Sequence, residues 1–480
     1  GGQTLANTGA LTLAGDITGT LVQDTEATAT TVVDGASEVS GVVDIDAGSL
    51  TVSDGITLAA DTGGATADDV TLNGGSSLVV DGGTVTGNVV LADTAGFDVN
   101  TPGANTGTID GDVTQDGTGA STLAGEIIGT LDVNDGTVTT DGASLVTGRV
   151  TIDGGSVVVG AATEISAGGQ VNAGGALTLN QDLTLGDDLT VEGSFTQNAG
   201  ATVLGGAGQS IINTRAGTQT FGPLGVSLVN RGTDAQLTGN IARNFSQDTL
   251  ATASATIAQP LTIDGTADLD TGTVSVNADA SIGDLVTVDG GASVTELAVA
   301  DGETLTADAG VQVGAATATA ANAVLDVDGN LTRIGGGAAI TNAGGTVQLG
   351  DGAGTTTVTG ALAQNGGTTT VEGDTDVTEA IAVTGGTLAV GGGATLRADT
   401  GGTAATDLAV SGPGIVNIAG GATLSAGVIS NNGGAINLLG AGATLRGTAN
   451  TLTNAGALTV ANGGVVTDAG AITNAAGGTM

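Results

Sequence analysis

The chain of 480 residues contains no Cys, His, Lys, Trp or Tyr, and only four Phe, four Pro and one Met. Each absence removes a chemistry. Without Cys there is no disulfide framework and no thiol nucleophile, and without His or Cys the common zinc and iron ligand sets are missing. No imidazole or lysine amine is present to titrate near neutrality or act as a base, and no Trp or Tyr can stack on a sugar. Positive charge is almost as scarce: seven Arg stand against 49 acids, a formal net charge of -42, which excludes the phosphate contacts of a nucleic-acid binder. No run approaches the roughly 18 apolar residues of a membrane-spanning helix.

What remains is Gly, at 89 residues, together with Thr, Ala, Val, Leu, Ile, Asp and Asn. High Gly and high net charge suggest disorder, but Val, Leu and Ile are distributed in short runs along the whole chain, and mean hydropathy is +0.30. Between residues 130 and 191 these runs fall at Leu131–Val133, Val138, Leu145–Val146, Val150–Ile152, Val157–Val159, Ile165, Val171, Leu177–Leu179, Leu183–Leu185 and Leu189–Val191. They recur about every six or seven residues and alternate at i and i+2, the period of a strand. Thirteen Asp-Gly pairs and many Gly-Gly steps lie between them as turns.

A longer period is legible in the C-terminal third. Triplets of an apolar residue, then Thr, Ser or Gln, then Asn or Gly occur at Ile340–Asn342, Ala363–Asn365, Val383–Gly385, Val410–Gly412, Ile429–Asn431, Leu452–Asn454 and Ile472–Asn474, with steps of 23, 20, 27, 19, 23 and 20 residues. Three short strands per step predict an all-β fold, a right-handed three-sided parallel β-helix with about 20–23 residues per coil, roughly 23 coils and a rod on the order of 110 Å. On this reading Val, Leu, Ile and Ala fill a narrow bore that excludes rings, Gly and Asn supply positive φ at the corners, and Thr faces outward.

Three stretches, Gly74–Leu91, Gly385–Gly402 and Thr453–Gly478, resemble the passenger regions of bacterial autotransporters and large haemagglutinin-type adhesins, and Gln219–Leu224 with Val226–Asn230 resembles a junction that recurs in such surface proteins. The resemblance is one of Gly, Thr and Asn pattern. It implies a β-helix at a bacterial cell surface, extracellular, structural or adhesive. The membrane-spanning barrel of that family is not in this sequence.

Three segments are expected: an acidic solenoid over 1–204, an irregular stretch or seam over 205–260, and a solenoid over 261–480 that is near-neutral towards its C-terminal end. The middle stretch holds Arg215, Arg231 and Arg243, Phe221 and Phe245, and Pro223 and Pro260. It reads either as a lateral contact patch, with Arg pairing to carboxylates of a neighbouring rod, or as a looped-out corner. Residues 1–240 carry 28 acids and three Arg, residues 241–480 carry 21 and four, and after Gly412 only Arg446 and Asp468 are charged.

Paired acids offer oxygen ligands to Ca²⁺ at Asp68 and Asp69, Asp187 and Asp188, and Asp374 and Asp376, with further pairs at Asp44 and Asp46 and at Asp268 and Asp270. The closest approach to a calcium-binding nonapeptide, Gly63–Asp68, lacks the Gly required at its fourth place. Asp132 with Asp135, or Asp326 with Asp328, provide the carboxylate pair of a glycosidase but no companion that would bind sugar. The Thr triplets at 355–357 and 368–370 do not repeat at coil spacing, against an ice-binding face. The expectation is a non-enzymatic solenoid without a cofactor, except for Ca²⁺ at those pairs. Its expected partner is itself, by end-to-end or lateral assembly; the alternative is a passenger adhesin whose 205–260 stretch binds a host receptor or surface polysaccharide.

Overall fold

The computed structural model describes residues 1–480 except 1–2, 25, 62–63, 65–67, 102–104, 199, 207, 290–294, 315–321, 335–336, 351–353, 403 and 468–469. The described residues contain no α-helix and form two compact units, Gly1–Ser227 and Leu228–Met480. Each is a parallel β-solenoid with roughly 20 residues per turn.

One coil of the first unit shows how the sequence builds it. Leu131–Val133, Thr137–Thr140 and Ser144–Val146 lie on three successive faces, and the next coil repeats them as Val150–Ile152, Ser156–Val159 and Thr163–Ile165. Pairing is parallel and in register on every face: Leu131 with Val150, Val138 with Val157, and Val146 with Ile165. Alternation of buried and half-buried residues follows the period of two, so Leu131, Val133, Val138 and Val146 enter the bore while Asp132 and Thr139 face out. Each fully buried Val or Leu contributes about 1.5–3 kcal/mol relative to exposure. At the first corner the Asp135 carboxylate accepts the Gly136 N–H at 2.7 Å, and Gly136 takes φ +71°.

The second unit is wound the same way. Its first face pairs Leu362 with Ile381 and Ile381 with Leu408, its second Val371 with Val390 and Val390 with Ile418, and its third Thr375 with Leu396 and Leu396 with Leu424. Some strands run around a corner and serve two faces. Thr423–Asn432 and Thr444–Asn454 pair along both arms, with a register shift between Ala426 and Val428.

Three sequence expectations need correction. Rings do enter the bore: Phe97, Phe195, Phe221 and Phe245 are all at most 4 % exposed. Phe195 and Phe221 stack with centroids 5.6 Å apart, and Phe245 is followed in its column by Ala267, whose small side chain leaves room for it. Among the described residues, the non-glycine residues with positive φ are Asp61, Asp93, Asp234, Asp399 and Thr249, and none is Asn. The repeat period is right, but its phase slips, because Asn342 pairs with Gln364, Gln364 with Val383 and Val383 with Val410. The partner of Thr341 is therefore Ala363, and Gln364 belongs to the inward column. Corners of variable length cause the slip, since Ala363 to Ala382 spans 19 residues and Ala382 to Ala409 spans 27. No helix among the described residues is long and apolar enough to cross a membrane.

Candidate functional site

In the first unit the residue that follows each first-face strand points outward at the corner, and there carboxylates and amides interlock from coil to coil. Asn73 Nδ2 donates to Asp46 Oδ1 at 2.7 Å, Asn134 Nδ2 to Asp116 Oδ1 at 2.6 Å, and Asn172 Nδ2 to Asp153 Oδ1. Stacking places each Asn one strand spacing from the Asp before it, so amide donors hold an anionic corner. The sequence signal was present, as Asp or Asn directly after the inward residue, but it is visible only once the register is known. Asp44 faces outward beside this corner, and burial, then the charges of Asp46 and Asp24, raise its pKa.

The other acid pairs are engaged locally. Asp69 accepts the Asn88 N–H at 2.7 Å; burial, followed by Asp61 and Asp68, raises its pKa against that hydrogen bond. Of the nonapeptide-like stretch beside it, residues 63 and 65–67 lie outside the described residues, as does Asp468. Asp187 Oδ1 accepts the Asp188 N–H at 2.8 Å, and Asp188 Oδ1 the Ser210 N–H at 2.7 Å. Arg397 bridges Asp374 and Asp376, at 3.8 and 2.8 Å, so this pair already has its cation. Among the described residues no group of three or more acids is placed to hold a metal ion.

Another acidic patch is in the second unit. Asp268 and Asp270 flank the inward Leu269, with Asp248 on one side along the stack and Asp289 on the other. Burial comes first in raising the pKa of both, and their acidic neighbours add to it. Asp248 is shifted the opposite way, because Arg231 binds it at 2.7 Å through Nε and its carboxyl is held below the usual range.

The middle stretch is not an aromatic contact patch. Phe221 and Phe245 are core residues, since the alternation that points Thr220 and Ser246 outward turns both rings inward. Arg215 Nη1 bonds the Gly193 carbonyl at 2.8 Å and Gln219 Oε1 at 3.3 Å, and Arg231 is paired to Asp248. Arg243 is exposed, and its carbonyl accepts the Gly265 N–H.

Of the glycosidase-like pairs, Asp132 faces outward from its strand while Asp135 is occupied by the Gly136 N–H. Asp326 faces outward from Ala323–Val327, and Asp328 follows that strand at the corner. A shallow surface groove of about 670 Å³ runs over the first unit between Asp81, Asn100, Thr106 and Asp141. A void inside the bore near Leu131, Val150 and Leu177 measures about 20 Å³, too small for any ligand. No family model matches the chain, and neither a curated protein nor a solved structure matches it.

Proposed function

We propose that the chain is a non-catalytic structural solenoid of a bacterial surface, working outside the cell as part of a fibre, sheath, surface layer or stalk. The observation that carries this reading is the in-register main-chain pairing on three faces in each unit, with the outward carboxylates held by neighbouring amides, backbone N–H groups and Arg. Such stacking gives a stiff element whose stability is summed over neighbouring coils and needs no cofactor. A surface without Lys or Cys and with net charge -42 suits a salt-exposed exterior. Immunogold labelling of intact cells that produce the protein is the test. Label on the outer surface is expected, and label confined to the cell interior overturns the reading.

A passenger adhesin is the second reading, and the exposed Arg243 in the middle stretch is what favours it. Deleting 205–260 would remove integral coils, so the informative variant is Arg243→Glu. Loss of attachment to host cells or polysaccharide, with the fold intact, would support adhesion at that stretch.

A further inference from the structure

In each unit one inward column, the last buried position of the first face, carries amides at intervals among apolar residues. In the first unit it runs from Gln23 through Ile45, Leu72 and Leu91 to Gln115, and later reaches Asn213. In the second it begins at Asn230 and Gln247, returns to polarity at Asn342 and Gln364, and does so again at Asn431 and Asn454. All of these side chains are at most 1 % exposed.

Three of the amide sites are built to one plan over three consecutive coils. Asn7, Asn230 and Asn342 each accept, through Oδ1, the N–H of the Gly two residues on: Gly9, Gly232 and Gly344. Each donates through Nδ2 to Oε1 of a Gln in the next coil, Gln23, Gln247 or Gln364, at 2.9, 2.9 and 3.2 Å. The same Nδ2 reaches a carbonyl, that of Thr30, Ser254 or Thr368. Gln23 and Gln247 then donate to matching sets of carbonyls, Ala29, Ala47 and Ser49 in one case and Ala253, Thr271 and Thr273 in the other. A glycine of positive φ in the following coil closes over each Gln. A Cβ at Gly48, Gly272 or Gly386 would stand 2.9, 3.1 or 2.8 Å from its Nε2.

We propose that these Asn–Gln pairs are register marks, which fix which coil stacks on which. Elsewhere the columns are mostly near-equivalent Val, Leu and Ile, and over most of their length a coil that skipped its neighbour would still bury an apolar set against an apolar set. A skipped coil at Asn342 sets that amide against Val383 and leaves Gln364 without its Asn. Each buried amide stranded in this way lowers the population of the wrong register roughly ten- to hundredfold. Apolar residues at the same positions would pack without that penalty, so the marks select a register rather than drive collapse.

The natural absence of Cys allows a direct test in the full chain. Thr341 and Ala363 are outward neighbours in the native register, and Ala382 lies one coil further on. Two coils are about 9.6 Å apart, beyond the reach of a disulfide. The chain carrying Thr341→Cys with Ala363→Cys, or Thr341→Cys with Ala382→Cys, is refolded from denaturant under oxidising conditions, with and without Asn342→Leu and Gln364→Leu. With the amides present, only the 341–363 bond is expected. With them replaced, the strand signal in circular dichroism returns and the 341–382 bond rises at least tenfold. A leucine variant with no more 341–382 bond than the parent overturns the proposal. So does a variant that fails to regain strand signal, since the amides would then be required for folding itself.

Discussion

Gly168 shows how little freedom single positions have. It turns a corner at φ +68°, and a Cβ there would lie 2.3 Å from the Asp188 carbonyl oxygen of the next coil. Gly168→Ala meets both a conformational penalty and a backbone clash, and is expected to cost more than about 1 kcal/mol. Gly15 has neither constraint, so Gly15→Ala is the matched control, and urea midpoints of the two variants check the difference. Phe221 is the other sensitive residue: fully buried and stacked on Phe195, it leaves a ring-sized hole when truncated. Phe221→Ala is expected to lose about 3–5 kcal/mol. A lateral-contact role predicts no such loss, so a denaturation midpoint equal to that of the parent would reinstate it.

Between neighbouring strands, charge produces opposite pH responses within a few coils. Asp268 and Asp270 have folded pKa values raised above their unfolded ones, so the folded chain takes up these protons first as pH falls. Their contribution therefore moves in favour of the fold as pH falls through the raised values into the ordinary carboxylate range, and is unfavourable above it. Asp248 is lowered by Arg231, so its favourable contribution is full above the unfolded value and is lost as pH falls through the folded one. Protection factors over 245–289, corrected for the intrinsic pH dependence of amide exchange, are expected to rise as pH falls through the raised values towards the ordinary carboxylate range, and Asp268→Asn should flatten that change. An unaltered pH profile in Asp268→Asn would show that the carboxylate is not under strain. Arg231→Gln is expected to lower stability at pH 7 by less than about 1 kcal/mol, because the pair is partly exposed.

For the molecule as a whole, a net charge of -42 is self-repulsion that salt screens. The thermal midpoint is expected to rise with NaCl. Ca²⁺ should add no more than NaCl of equal ionic strength, since Asp46, Asp69, Asp187, Asp188, Asp374 and Asp376 already bond to amides, backbone or Arg. A rise specific to Ca²⁺ and abolished by chelation would establish the calcium sites. Most of the architecture was legible at this scale, because period-two runs at three per repeat, separated by Gly-rich turns, leave a stacked parallel coil as the fitting solution. The outward acid–amide corner and the buried Asn–Gln column were not, because a side chain's partner lies a full coil away and corners of variable length shift the phase, as at Gln364 and Val383.

The sequence by itself determined that the chain winds into parallel strands, that Val, Leu and Ile make up most of the bore, and that Lys, His, Cys, Trp and Tyr chemistry is excluded; local alternation and composition suffice for these. Only the tertiary structure decided that all four Phe are core, that Asp and Thr249 rather than Asn join Gly at positive φ among the described residues, and that Asn and Gln line a bore column in each unit. Those outcomes depend on which residues meet across neighbouring coils, a matter of register that no local pattern specifies.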